Sequence, residues 1–278
     1  MTSHDVVARL RRIAGTRKVG HAGTLDPMAT GLLLLGLGRA TRLLGHLALT
    51  EKAYDATIRL GESTTTDDAE GETLTVSSAE GLDQAAVRAA AARFVGELDQ
   101  VPSSVSAVKI AGQRAYRRVR AGEQVDIPPR RVVVHELAVH GIREADALLD
   151  VDVSIRCSSG TYVRAIARDL GAGLGVGGHL TALRRTAVGP FGISEAHTLE
   201  QLEQSLDVLD IGAVARRCFP SRDISAEQAT RVGHGQRLDL ALDAAAPVAL
   251  FGPTGDFVAL YRQRGVVAEP VAVFAVEG

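Results

Sequence analysis

Two short stretches, residues 54–60 and 149–155, alternate apolar and polar side chains with a period of two. That period predicts β-strands that bury one face and leave the other face polar. The strand-like segments before residue 190 are mostly not separated by connections of the length that βαβ crossovers need. We therefore predict an α+β fold, with a mixed, mainly antiparallel central sheet and flanking helices.

Other segments of the chain predict the elements around that sheet. The apolar spacing of residues 3–14 indicates a helix, and a second helix is predicted over 161–170. The polar residues 61–72 predict an exposed loop. Short apolar runs separated by Gly, Pro and Asp follow residue 220 and predict a small β-rich domain. We expect two domains, residues 1–218 and 219–278.

Composition excludes several classes of protein. The chain has 278 residues, of which 46% are apolar and 23% charged, as in ordinary folded proteins. The two cysteines, Cys157 and Cys218, come with no secretory signal pattern, which predicts free thiols in a reducing compartment. No run of apolar residues approaches the roughly 18 that a membrane-spanning helix needs. We expect a cytoplasmic protein with no membrane partner.

The distribution of charge favours a nucleic-acid partner, although the net charge of −2 by itself argues against one. Residues 1–50 and 109–131 each hold seven basic and two acidic side chains, and residues 156–185 hold five and one. These stretches sum to +14, whereas residues 191–278 carry seven basic and twelve acidic side chains. Local basic surface of this kind is typical of proteins that bind a phosphate backbone.

The most distinctive loop is Gly20-His21-Ala22-Gly23-Thr24-Leu25-Asp26-Pro27-Met28-Ala29-Thr30-Gly31. Its glycines and its proline permit tight turns of the main chain, and the loop presents one carboxylate, Asp26. This residue is a candidate nucleophile or general base; a purely structural Asp-Pro turn is the competing interpretation. No histidine, cysteine or carboxylate lies at ligand spacing around His21, so we expect no metal. The Gly-Lys-Ser/Thr ending of a phosphate-binding loop is also missing.

Two further segments carry candidate groups. Cys157-Ser158-Ser159-Gly160-Thr161-Tyr162-Val163-Arg164 lies where a predicted strand ends and a helix begins, and an arginine there could pair with Asp26. Lys52-Ala53-Tyr54 opens the strand at 54–60, and Tyr54 is either a core side chain or a stacking surface for a planar ligand. Residues 173–178 match the G-x-G-x-x-G spacing of dinucleotide sites. That match follows a predicted helix rather than a strand, so we interpret it as a helix stop and a turn.

Together these motifs resemble the TruB family of bacterial tRNA pseudouridine synthases. The match runs from residue 3 to about 190 and continues more weakly beyond about 220. It implies the pseudouridine synthase fold with a C-terminal PUA-like RNA-binding domain. It also implies isomerisation of the T-loop uridine at position 55 of tRNA, by a monomer that needs no cofactor and no metal. Family members usually carry a strand and an Asp-Lys-Pro-x-Gly motif ahead of residues matching Thr2–Asp5, so we expect that strand to be missing.

The resemblance also implies roles for individual residues. Asp26 would be the catalytic nucleophile, attacking either C6 of the uracil or C1′ of the ribose. Arg164 would pair with Asp26, and Tyr162 would lie near the base and transfer a proton at C5. Substrate or RNA contacts are predicted for His21, Tyr54, Asp68, Leu183, Lys109, Arg117, Arg118 and Arg184. His21 would hold the opened T-loop, Tyr54 would stack on the target base, and Leu183 would form an apolar wall of its pocket.

Two other classes of protein compete with an isomerase. A non-catalytic tRNA-binding or tRNA-folding protein would show the same basic surface without turnover. A nicotinamide oxidoreductase would have to use residues 173–178, which lack the strand that a dinucleotide site requires.

Overall fold

The structure is a computed structural model that describes residues 1–103, 109–110, 113–114 and 127–274. Within this part, the chain forms two compact units that are not continuous in sequence. The first unit contains Met1–Ser3, Gly23–Leu34 and Ala48–Ala196. The second contains His4–Ala22, Leu35–Leu47 and the chain from His197 onward.

Strands and α-helices of the described part are numbered in chain order. The strands are β1 Val19–Ala22, β2 Thr30–Gly31, β3 Leu34–Leu37, β4 Lys52–Leu60, β5 Glu62–Thr64, β6 Thr73–Val76, β7 Gly96–Gln100, β8 Lys109–Ile110, β9 Gln113–Arg114, β10 Arg130–Ala145, β11 Leu148–Cys157, β12 Gly178–Val188, β13 Phe191–Gly192, β14 Ser221–Asp223, β15 Val248–Phe251, β16 Phe257–Arg264 and β17 Val267–Val273. The α-helices are α1 Ser3–Ile13, α2 Leu44–Leu47, α3 Gln84–Ala92, α4 Val163–Gly173, α5 Leu199–Gln204, α6 Ile211–Cys218 and α7 Ala226–Gly233. Short 3₁₀ turns span Gly38–Arg42 and Ile193–Glu195.

A seven-stranded sheet organises the first unit. Its order is β13-β12-β4-β11-β10-β7, and β2 lies beside β12. The β2–β12 pairing is parallel and the other described pairings are antiparallel. This arrangement confirms the predicted mixed, mainly antiparallel sheet with flanking helices.

One face of this sheet forms the core of the first unit. Ile58 and Val151 are fully buried and face each other across β4 and β11, as the period-two pattern predicts. Helices α3 and α4 cover this face through Val87, Ile166 and other apolar side chains. Burial of each large aliphatic side chain contributes about 1.5–3 kcal/mol, so these contacts fix the position of α4 against the sheet.

One expectation for the first unit is wrong, and one of its strands was not predicted. Residues 61–72 are not an exposed loop, because β5 and β6 pair as an antiparallel hairpin and both Thr64 and Asp68 are buried. Strand β12 was not predicted, yet it lies next to β4 near the middle of the sheet. The glycines at 173–178 do end α4 as predicted, and the chain turns directly into β12. A Cβ at Gly178 would lie 2.6 Å from the Ala167 carbonyl oxygen, so glycine is required where α4 meets β12.

The second unit contains the four-stranded sheet β14-β15-β16-β17, which confirms the predicted β-rich segment after residue 220. Its core includes Leu250 and Tyr261, and Phe257 stacks on Phe274 with ring centroids 4.8 Å apart. Helix α1 packs against β1 through Val7, Leu10 and Val19 in a second apolar cluster of this unit. The division between residues 218 and 219 stays a prediction. No helix among the described residues combines the length and apolar character needed to cross a membrane.

Candidate active site

The first turn of α4 aims an arginine at the carboxylate of the glycine-rich loop. Arg164 is the second residue of the helix and is buried, because the apolar face of α4 holds it against the sheet. Its Nη2 donates to Asp26 Oδ1 at 2.8 Å and its Nε donates to Asp26 Oδ2 at 3.1 Å. This paired geometry fixes both the direction and the plane of the carboxylate. The Asp26 side chain is 34% exposed, so a ligand can reach it.

The other edge of the same guanidinium contacts a second carboxylate. Arg164 Nη1 donates to Asp68 Oδ2 at 3.1 Å and to the Thr66 carbonyl oxygen at 3.0 Å. Asp68 is buried, and its Oδ1 accepts from the Glu70 main-chain NH at 3.1 Å. The predicted contact between Asp68 and a nucleotide stays a prediction. In this structure the Asp68 carboxylate orients Arg164 from the side opposite Asp26.

Contacts from distant parts of the first unit hold the loop that carries Asp26. The Leu25 main-chain NH donates to Ser3 Oγ at 3.1 Å, and the Ala29 NH closes a turn on the Asp26 carbonyl oxygen at 2.9 Å. Where the loop ends, Gly31 pairs with Arg185 of β12. Asp26 therefore lies in a loop that is fixed at its start, its middle and its end.

The Asp26 carboxylate acts electrostatically on two tyrosines. Burial raises the pKa of Tyr54 to about 12, and the negative charge of Asp26 contributes to this rise. Burial also raises the pKa of Tyr162, again with a contribution from Asp26. Both phenols are therefore neutral at physiological pH, and each can donate a hydrogen bond or a proton. Tyr54 lies on β4 opposite Ile155 and Arg185, while Tyr162 is the N-cap residue of α4.

Gln100, at the end of β7, anchors Tyr162 through its main chain. The Tyr162 NH donates to Gln100 Oε1 at 2.7 Å, and Gln100 Nε2 donates to the Tyr162 carbonyl oxygen at 3.0 Å. A buried side-chain amide that satisfies both main-chain groups of one residue restricts that residue to one conformation. The side chain of Tyr162 itself makes no capping hydrogen bond to α4.

The remaining predicted residues lie in several places. Leu183 and Arg184 line a cavity of about 500 Å³, together with Met28 and Thr30 from the loop that carries Asp26. Leu183 is buried, whereas Arg184 is exposed and its Nη1 donates to Thr30 Oγ1 at 3.3 Å. His21 belongs to the second unit, where its ring lies 5.8 Å from the ring of His4.

Three predicted RNA contacts fall in the basic stretch 109–131. The main chain of Lys109 forms part of β8, and Arg117 and Arg118 lie outside the described residues. Their contacts stay predictions. Among the described side chains, no group of three or more His, Cys, Asp or Glu residues has the arrangement of a metal site.

Sequence reasoning missed four polar residues that support the site: Lys52, Thr66, Gln100 and Arg185. Lys52 is buried and its Nζ donates to the carbonyl oxygens of Ala48 and Thr50, both at 2.9 Å. Burial lowers the pKa of Lys52, and the nearby charge of Arg185 lowers it further. Lys52, Gln100 and Arg185 bind main-chain groups, and the Thr66 carbonyl oxygen accepts from Arg164. None of these contacts follows a periodic pattern in the sequence.

The site combines an exposed carboxylate, a buried arginine that orients it and two neutral phenols. A carboxylate in this setting can act as a nucleophile or as a general base, with the phenols as proton donors. Several solved structures share the fold. The structure titled "H/ACA RNP bound to a substrate RNA containing 2'-deoxyuridine" aligns over 99% of this chain and 82% of the other, with a TM-score of 0.72 and 23% identity. A Cbf5-Nop10-Gar1 complex aligns with the same coverage at a TM-score of 0.70.

Relatives identify the family. Residues 11–163 match the N-terminal domain of TruB family pseudouridylate synthases. Residues 164–213 match a tRNA pseudouridylate synthase B C-terminal domain, and residues 219–275 match a tRNA pseudouridine synthase II C-terminal domain. The chain is 57% identical to tRNA pseudouridine synthase B of Thermobifida fusca (strain YX), over 99% of this chain and 94% of that protein. It is 55% identical to the protein of the same name from Arthrobacter sp. (strain FB24), over 99% and 93%.

The fold and the site thus define a pseudouridine synthase, an enzyme of the isomerase class. The chain belongs to the TruB family of pseudouridylate synthases.

Proposed function

We propose that this chain converts the T-loop uridine at position 55 of tRNA to pseudouridine, with Asp26 as the nucleophile. The names of its relatives support the tRNA substrate and the reaction. One observation carries the residue assignment: both oxygens of the accessible Asp26 carboxylate are held by the buried Arg164. This pairing presents a carboxylate in a fixed orientation at the surface of the site.

The reaction exchanges one bond of the base for another and needs no net oxidation or reduction. The N1–C1′ bond of uridine breaks, the C5–C1′ bond forms, the hydrogen on C5 leaves as a proton, and N1 gains a proton. Asp26 attacks C6 of the uracil or C1′ of the ribose, and in both routes it forms a covalent intermediate that the later steps resolve. Arg164 holds the carboxylate in line for attack and stabilises its charge when it is released.

The two phenols serve the base. A uridine stacked inside a folded loop must leave the stack to reach a carboxylate, at a free-energy cost of a few kcal/mol. The ring of Tyr54 offers a stacking surface that offsets part of this cost, and Tyr162 is the candidate for the proton transfer at C5. Burial keeps this phenol neutral, so it can take up the C5 proton only by passing its own proton on, to solvent or to the released Asp26 carboxylate.

Basic surface supplies the affinity for RNA. The stretches 1–50, 109–131 and 156–185 carry the positive charge of the chain, and their contacts with phosphates would make binding depend on salt. In our proposal His21, Arg184 and the PUA-like C-terminal segment each contact the RNA. The protein acts as a cytoplasmic monomer and uses no cofactor.

The test is release of tritium from tRNA that carries uridine labelled with ³H at C5, because C5 loses its hydrogen in the reaction. Asp26→Asn keeps the size of the side chain and removes the nucleophile. We expect this variant to bind tRNA with the affinity of the wild-type protein and to release no tritium. Asp99→Asn, which changes an exposed carboxylate on β7, is the matched control and should react normally.

Three outcomes would contradict the proposal. Normal turnover by Asp26→Asn would exclude this residue as the nucleophile. Wild-type protein that binds tRNA and releases no tritium in a single turnover would indicate a tRNA-binding or tRNA-folding protein. Normal release from tRNA in which uridine 55 is unlabelled and other uridines are labelled would place the reaction at another position.

A further inference from the structure

Arg185 is a buried cation that binds two main-chain carbonyl groups. The residue is 1% exposed and is the largest fully buried side chain of the described part. Its Nε donates to the Leu32 carbonyl oxygen at 2.8 Å, and its Nη2 donates to the Gly23 carbonyl oxygen at 2.9 Å. No ion pair with a carboxylate is found for it among the described residues. Buried guanidinium groups are usually neutralised by a carboxylate, so this arrangement needs an explanation.

The two carbonyl groups that Arg185 contacts lie at opposite ends of the segment that carries Asp26. Gly23 precedes Asp26 by three residues and Leu32 follows it by six. The main chain of Arg185 adds a third connection, because the Leu32 NH donates to the Arg185 carbonyl oxygen at 2.8 Å. Arg185 of β12 therefore joins the two ends of the segment 23–32.

Close packing between Gly31 and Arg185 leaves no room for a different main-chain path at the end of this segment. Gly31 has a φ of +99°, and a Cβ there would lie 2.2 Å from the Arg185 carbonyl oxygen. Arg185 also pairs with Tyr54 on the neighbouring strand β4. Its guanidinium lowers the pKa of the Tyr54 phenol through its charge and a hydrogen bond. The same side chain thus contacts the loop of the nucleophile and a tyrosine of the site.

We propose that Arg185 is a positioning residue, which fixes both ends of the segment 23–32 and thereby sets the place of the Asp26 carboxylate relative to the flipped base. The inference rests on the proposed function. A packing role alone does not account for the side chain, because an apolar residue of similar size would pack at that point without the desolvation of a charge. What an apolar residue lacks is the pair of donors that the two carbonyl groups require.

The geometry predicts a defect in the chemical step rather than in binding. Arg185 is buried, so it contributes little to the surface that meets phosphates. A shift of Asp26 by about 1 Å lowers the rate of a positioned reaction about 100-fold. We expect Arg185→Ala to lower kcat for tritium release by about that factor and to leave the Kd for tRNA unchanged. Arg185→Lys should fall between the wild type and Arg185→Ala, because one ammonium group cannot reach both carbonyl groups in the planar geometry of arginine.

Chemical rescue distinguishes positioning from simple loss of stability. Added guanidinium ion at millimolar concentration can occupy the space that Arg185→Ala creates and donate to the same carbonyl groups. We expect kcat of Arg185→Ala to rise with guanidinium concentration, and not with NaCl at the same ionic strength. Denaturation by guanidinium needs molar concentrations, so a variant that is only unstable would not gain activity from millimolar guanidinium. The matched control is Arg59→Met, which removes an ion pair with Asp150 between the neighbouring strands β4 and β11, outside the site. The activity of this control should not change with guanidinium concentration.

Several results would overturn the inference. These are a normal kcat for Arg185→Ala, a loss of tRNA affinity that parallels the loss of kcat, or the absence of rescue by guanidinium in a folded variant. If Arg185→Ala fails to fold, Arg185→Lys decides: an unchanged kcat in that folded variant refutes the role. Wild-type protein that releases no tritium refutes the proposed function instead, so the two failures are distinguishable.

Discussion

Replacing Arg164 by methionine should separate stability from catalysis, because Arg164 pairs with two carboxylates in different surroundings. Asp68 is buried, whereas Asp26 is about one-third exposed. In Arg164→Met the Asp68 charge stays buried without its partner. Removing one member of a buried ion pair costs about 3–5 kcal/mol of folding free energy. That is a large share of the roughly 5–15 kcal/mol by which a domain is stable.

The double variant Arg164→Met with Asp68→Asn tests the origin of that loss. Asparagine keeps the size of the side chain and an oxygen that can accept from the Glu70 NH, and it removes the buried charge. We expect the double variant to be more stable than Arg164→Met by about 2 kcal/mol, a coupling within the range of residues in direct contact. Neither variant should recover catalysis, because both lack the two donors that hold the Asp26 carboxylate.

The measurements are urea unfolding of the wild type, both single variants and the double variant, and tritium release by the same four proteins. Asp68→Asn alone is the reference, since Arg164 keeps its contact with Asp26 in that variant. A double variant as unstable as Arg164→Met would show that the buried charge is not the cause of the loss. Turnover by Arg164→Met at the wild-type rate would show that Asp26 does not need the arginine.

Three other predictions follow from single contacts. The pKa of the Tyr54 phenol is raised to about 12 in the folded protein, so the wild type should lose stability as pH rises from about 10 through 12. Tyr54→Phe lacks this phenol, and its unfolding curves at alkaline pH should lack that loss. Gln100→Leu should lower kcat without changing the Kd for tRNA, because two main-chain groups of Tyr162 lose their partner. The same loss should lower the free energy of unfolding in urea by about 1–3 kcal/mol. Gln204→Leu, on the short surface helix α5, is the control. Gly31→Ala should destabilise the protein by more than the roughly 1–3 kcal/mol of an unfavourable φ, whereas Gly38→Ala, with open space around it, should stay within that range in thermal unfolding.

Local patterns predicted the elements whose physical cause is local. Strand β4 alternates buried residues with half-buried or exposed ones along its whole length, so its period of two is visible in the sequence. Strand β12 lies beside β4 in the same sheet but carries register shifts between Leu180 and Ala182 and between Arg185 and Ala187. Each shift reverses the direction of the following side chains, and the buried residues no longer recur at every second position. The strand therefore lacks the pattern that reveals β4.

The site shows the same limit more clearly. Asp26 and Arg164 are 138 residues apart, and no periodicity connects them. The place of Arg164 at a strand-to-helix junction suggested the pairing, and only the resemblance of the two motifs to a family implied it. Asp68 was placed in an exposed loop because its neighbours are polar. It is buried because Arg164, 96 residues away, supplies the opposite charge that burial requires.

Distant contacts also explain how a loop rich in glycine can hold a nucleophile in place. Glycine residues give the segment around Asp26 wide conformational freedom in the unfolded chain, so ordering it has a high entropic cost. The compensating contacts come from Ser3, Arg164 and Arg185, which lie 22, 138 and 162 residues from the loop groups that they bind. Arg164 fixes the side chain of the nucleophile and Arg185 fixes the main chain that carries it. The two arginines should therefore fail differently: loss of Arg164 removes the orientation of a carboxylate that is still in place, whereas loss of Arg185 displaces a carboxylate that still has its partner.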